Sequence, residues 1–124
     1  MKNTPNKFFL ILALPIFAFA LAACSTTSTA GSPALKGETN AKLQTQLIKG
    51  KTTEAQTRKL FGDPANVVQH SDGTTTWDYV YSETHTRAIP YVSNKVSTDN
   101  LQLHITFDKD VVENYTLSQQ KNHN

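Results

Sequence analysis

The feature that most restricts the fold is the run Leu101-Gln102-Leu103-His104-Ile105-Thr106-Phe107. Apolar and polar residues alternate strictly, so every apolar side chain falls on one face of an extended strand. Such a strand is dry on one side and wet on the other, which implies an antiparallel sheet with a single covered face. The segment Thr74 to Ser82 has the same period. Trp77, Tyr79 and Tyr81 share one face, and Asp78 and Val80 share the other. Ala65 to Ser71, centred on Val67 and Val68, reads as the preceding strand, joined by an Asp72-Gly73 hairpin signal. Asp108-Lys109-Asp110 reads as a turn into a last strand over Val111 to Ser118, with Tyr115 and Leu117 toward the core.

The cover for the dry face lies upstream, where the period is helical. Thr39 to Ile48 carries Leu43 and Leu47 at i, i+4, with Ile48 beside them, and Gly50 suits its end. Thr53-Glu54-Ala55-Gln56 has the spacing of a capping box. Glu54 in the first turn and Arg58 and Lys59 in the last suit the helix dipole. Leu60 and Phe61 are the expected anchors, and Gly62-Asp63-Pro64 ends the helix. The expectation is an α+β domain over residues 39–118. Two short helices pack on one face of a three- to four-stranded antiparallel sheet. Leu43, Leu47, Leu60 and Phe61 are expected to meet Leu103, Ile105 and Phe107. Residues 119–124 read as a polar tail, and 83–100 as a long connection with Ile89, Pro90, Tyr91 and Val92 between polar flanks.

Lys2 and Lys7 precede sixteen residues, Phe8 to Ala23, without a charged or strongly polar side chain. At ~1.5 Å per residue such a helix is ~24 Å long, short of a ~30 Å hydrocarbon core, and Pro15 interrupts it. Residues 1–23 therefore read as a signal peptide. The run ends Leu21-Ala22-Ala23-Cys24-Ser25, which resembles the lipobox of bacterial lipoproteins. That resemblance implies cleavage before Cys24 and acylation of its sulfur. A thiolate is the nucleophile suited to that transfer, and two or three acyl chains anchor a protein durably. Ser25 after the cysteine resembles the outer-membrane class, with the domain facing the periplasm. Residues 24–38, rich in Ser, Thr, Ala, Gly and Pro, read as a flexible tether with a reach of ~20 Å.

Composition narrows the chemistry. The chain has 12 Lys and Arg against 10 Asp and Glu, and losing Lys2 and Lys7 with the leader makes it neutral. No basic cluster remains for a nucleic acid. One cysteine excludes an internal disulfide and a thiolate zinc site. His70, His85, His104 and His123 lack ligand-pair spacing, and Asp108-Lys109-Asp110 lacks the oxygen donors of a calcium loop. No nucleophile elbow is present. The expectation is a protein without catalytic residues, metal or cofactor beyond the lipid on Cys24.

The stretch Gly50-Lys51-Thr52-Thr53 through Leu60-Phe61-Gly62-Asp63-Pro64 resembles the signature of the BamE-like (SmpA/OmlA) outer-membrane lipoproteins. Asp72-Gly73 before a Trp-x-Tyr strand, and Leu103 to Asp108 followed by Val111-Val112 and Tyr115, match in kind. The resemblance covers most of Leu43 to Ser118. It implies an ααβββ fold without known chemistry, and an adaptor role in an envelope complex of the barrel-assembly type. A conjugation or secretion apparatus, or an inhibitor or ligand-binding module, are the alternatives. Two departures stand out: Val111 follows Asp110 where members often have Gly, and residues 83–100 are long for a hairpin. Ile89, Pro90, Tyr91 and Val92, with Tyr81 at its strand end, are the candidate partner contacts. The aromatic row is otherwise expected in the core, and the apolar tip of the connection either packs back on the domain or meets a partner.

Overall fold

The computed structural model describes residues 24–91 and 93–124. The expected signal peptide, residues 1–23, lies outside them. The elements in chain order are β1 (Ser25–Gly31), a 3-10 turn (Pro33–Leu35), α1 (Asn40–Gln46), α2 (Glu54–Phe61), β2 (Asn66–Gln69), β3 (Thr75–Ile89), β4 (Ser93–Asp108) and β5 (Val111–His123). The α+β class and the helices-then-sheet order are as expected, but the sheet has five strands. Its order is β1-β3-β4-β5, all antiparallel. β2 shares the β1 edge of β3: β1 pairs with residues 81–87 and β2 with 75–78.

The core is the one the alternation demands. Leu101, Leu103, Ile105 and Phe107 are buried, and so are Trp77, Tyr79 and Tyr81 from β3. Leu43, Leu47 and Phe61 close over them from the helices, with Leu35 and Val112 completing the cluster. Trp77 packs tilted on Phe107 at 4.9 Å and Phe61 on Tyr79 at 5.7 Å between ring centroids. Each fully buried aliphatic side chain contributes roughly 1.5–3 kcal/mol, and this layer is what holds the short helices in place.

Helix ends are satisfied in detail. Thr53 Oγ1 accepts the Gln56 N–H at 3.2 Å, and the Thr53 N–H donates to Gln56 Oε1 at 3.0 Å, so the expected capping box forms. At the other end the Tyr79 hydroxyl donates to the Gly62 carbonyl and Ser32 Oγ to that of Phe61. The entry to α2 is tied to the sheet by Val112 N–H to Thr52 O and Glu54 N–H to Asp110 O.

Several expectations need correction. The supposed tether contains β1, and Leu35 behind it is 0% exposed. Every residue of β1 is exposed, so no apolar alternation betrays it, while its threonines favour extended backbone and β3 offers an open edge. The supposed long connection is the outer half of a hairpin in which β3 and β4 pair without interruption from Thr75↔Phe107 to Ile89↔Ser93. The supposed tail is the end of β5, paired to Ser97↔His123. These outer stretches are largely in water on both faces and are dominated by polar and charged residues, which carry no hydrophobic period. The Asp72-Gly73 turn is a three-residue loop, with His70 N–H to Thr74 O and Gly73 at φ 90°. The last hairpin is a two-residue turn with Lys109 at φ 49° and Asp110 at φ 68°. A register shift at Thr106/Phe107 then puts Val112 inward while keeping Tyr115 and Leu117 packed on the core.

Candidate functional site

The long sheet separates two regions with accessible chemistry. The first is the helical end. On α2 the buried face is Thr57 and Phe61 at i, i+4, so Leu60, rotated away, is 40% exposed instead of anchoring the helix. Thr57 is tolerated at 0% exposure because its hydroxyl donates to the Thr53 carbonyl at 2.9 Å. A threonine four residues after the N-cap can bond back to the carbonyl there, but nothing else in the sequence marks Thr57 as buried. Ile48, just past α1, is 48% exposed. Ile48 and Leu60 flank a shallow groove of about 480 Å³ whose other walls include Lys51 and Lys59. The loop between the helices is rigid at this point: Thr52 Oγ1 accepts the Ile48 N–H at 2.8 Å and donates to the Gln46 carbonyl at 3.1 Å.

The aromatic and cationic groups around this end serve packing. Arg58 lies over the Trp77 ring at 4.9 Å and pairs with Asp63 at 3.2 Å. Lys49 donates to Asn114 at 2.9 Å and sits over Tyr115. Burial of Tyr79 pushes its hydroxyl up to about 12, so it is a neutral donor to the helix end at any ordinary pH.

The second region is the outer end of the sheet. Cys24 is exposed and directly precedes β1, and the Ala88 N–H donates to its carbonyl at 3.4 Å. It thus lies level with the last residues of β3, next to the hairpin tip. Ile89 is 36% exposed and Tyr91 fully exposed, held at φ 69° in the turn. Pro90 is exposed between them, and Val92 lies outside the described residues. Tyr81 does not join this group: it is 4% exposed, inside the core. Its neighbour on the same face, Glu83, is also buried, with Lys36 bridging to it at 2.8 Å. That ammonium holds the Glu83 carboxyl below the usual range.

The histidines are dispersed. His104 faces Asp78 at 2.5 Å on the open face of the sheet. His70 meets Thr76, His85 meets Thr27 and His123 meets Ser97. Among the described residues no three His, Cys, Asp or Glu side chains gather as a metal site. Among them, too, no helix is long and apolar enough to cross a membrane.

Comparison with curated proteins and with solved structures returns no match. The family model described as the outer membrane protein assembly factor BamE domain matches residues 38–116. That range holds both helices, β2, the whole β3–β4 hairpin and the start of β5, whereas β1 and the end of β5 lie outside it. With more than half its length matched and its helices-then-sheet order intact, the chain belongs to the BamE family of outer-membrane protein assembly factors.

Proposed function

We propose that this protein is a lipid-anchored accessory subunit at the outer membrane, acting by docking and without catalysis, in an envelope complex of the barrel-assembly type. Family membership supports an assembly-factor role. The lipobox-like Leu21-Ala22-Ala23-Cys24 supports acylation of Cys24, with the domain in the periplasm. The observation that carries the docking reading is the groove at the helical end. Ile48, just past α1, and Leu60 on α2 are large apolar side chains left half in water, while Leu43, Leu47 and Phe61 of the same helical segment are buried. Lys51 and Lys59 beside them suit a partner surface that is apolar at its centre and acidic at its rim.

The test is the double substitution Ile48→Ser with Leu60→Ser in the full lipoprotein, recovered from gently solubilised envelopes. Both side chains are substantially exposed, so the melting temperature should stay within a few degrees. Recovery of barrel-assembly components should fall at least about tenfold, which corresponds to about 1.4 kcal/mol. Undiminished recovery with the variant would place the docking surface elsewhere, and recovery of no partner by either form would remove the accessory role.

A further inference from the structure

The position of Cys24 in the sheet has a mechanical consequence for the hairpin tip. Strand β1 begins at Ser25, and its first pair is Ser25↔Arg87. An acyl group on Cys24 therefore leaves the chain with no slack, beside Ala88 and one residue short of Ile89. A bilayer that holds those chains must lie against the end of the sheet where the hairpin turns. We propose that the β3–β4 hairpin tip is a second membrane contact, with Tyr91 and Ile89 in the bilayer interface and Arg87 and Lys95 on lipid phosphates. The proposal rests on acylation of Cys24.

Three observations other than the anchor support a lipid occupant. First, Tyr91 is held wholly clear of the protein, and Ile89 at the tip and Val96, three pairs further down the hairpin, are also exposed. A tyrosine with apolar neighbours at the end of an otherwise polar blade suits the headgroup region, where a ring can sit with its hydroxyl in water. Second, Arg87 and Lys95 are directly opposite one another in the β3–β4 register. Like charges in that relation are unfavourable, and neither is in an ion pair among the described residues. Third, residues 86–96 contain those two cations and no carboxylate. The charge of the tip is therefore complementary to an anionic lipid surface.

The geometry also sets the stand-off. From Ala88 back to Thr75, β3 runs roughly 40 Å at ~3.3 Å per residue. A sheet seated on its tip points Ser71 and the helical groove away from the bilayer, where a membrane-bound partner's soluble domain is accessible.

The acylated cysteine has no free thiol, so Tyr91→Cys and Ser71→Cys each introduce a single labelling site in the mature lipoprotein. Each variant is labelled with a nitrobenzoxadiazole fluorophore and reconstituted into vesicles of phosphatidylethanolamine with about one-quarter cardiolipin, with or without a headgroup-region spin-labelled lipid. Mass spectrometry of the N-terminal peptide is run on the same sample. The expected result is an acylated Cys24, quenching at residue 91 at least about threefold that at residue 71, and loss of most of that excess on Arg87→Glu with Lys95→Glu. Acylated Cys24 with equal quenching at the two positions overturns the tip contact and leaves the anchor standing. So does capture of a protein by residue 91 in intact envelopes when residue 91 is unquenched in vesicles. An unmodified Cys24 overturns the anchor and the tip contact together.

Discussion

Gly31 is where the difference between a tether and a strand can be measured. It ends β1 at φ 88°, pressed against β3: a Cβ built on it would stand 2.1 Å from the Val80 carbonyl oxygen and 2.8 Å from its carbon. That same oxygen accepts the Ser32 N–H at 2.8 Å, the bond that turns the chain from β1 toward buried Leu35. Gly31→Ala forces three losses. A left-handed backbone costs an L-residue roughly 1–2 kcal/mol. The carbonyl must move off a contact no real atom tolerates, and losing its hydrogen bond costs about 1 kcal/mol. The sum is about 2–4 kcal/mol, or a fall in melting temperature of roughly 10–20 °C for a domain this size. Gly37→Ala is the control. Gly37 has φ 73° but nothing within 4 Å of the added Cβ, so only the backbone cost of roughly 1–2 kcal/mol applies. Thermal unfolding of the two variants, followed by near-ultraviolet circular dichroism of the buried Trp77 and Tyr79, gives the comparison. If Gly31→Ala melts with the unsubstituted protein, or no lower than Gly37→Ala, then residues 25–31 do not form part of the fold.

Two further outcomes follow from the packing. Tyr79→Phe removes the bond to the Gly62 carbonyl and should cost about 1 kcal/mol at neutral pH. Because burial raises the Tyr79 pKa from 10.0 to about 12, its stabilisation is complete below pH 10 and is lost as pH rises toward 12. The phenylalanine variant should therefore lose less stability than the parent over that window in denaturant titrations. Asp110→Gly relieves a non-glycine residue at φ 68° in a two-residue turn and should raise stability by about 0.5–1 kcal/mol, seen as a higher urea midpoint with unchanged slope.

What could be read from the sequence was whatever water sorts. Leu101 to Phe107 and Trp77 to Tyr81 alternate because one face is dry, and their placement in the core follows. The α2 cap was legible because Thr53 and Gln56 act on backbone three residues apart, with no help from the rest of the fold. The outer half of the sheet was illegible for the converse reason. Residues 25–31, 84–98 and 119–123 pair through backbone, with both faces largely in water, so nothing selects apolar residues at alternate positions. Leu60 illustrates a different limit. Its helix offers two candidate faces, and the burial of Thr57 instead depends on a bond to the Thr53 carbonyl that composition does not announce. At the helical end, Leu60 is expected in the core because apolar residues on short helices normally are, and the structure leaves it 40% exposed. Of the outer end of the sheet only the motif around Cys24 is legible in the sequence, since the position of Cys24 next to the hairpin tip is a property of register.

The whole picture depends on a chain moored at the outer end of its sheet and working from the helical end. Intact mass analysis of the protein isolated from the cell envelope addresses this most directly. The expected species begins at Cys24, lacks residues 1–23 and carries acyl chains on that residue, in the outer-membrane fraction. A full-length chain with an unmodified Cys24 thiol, or a soluble periplasmic form as the main species, would contradict it.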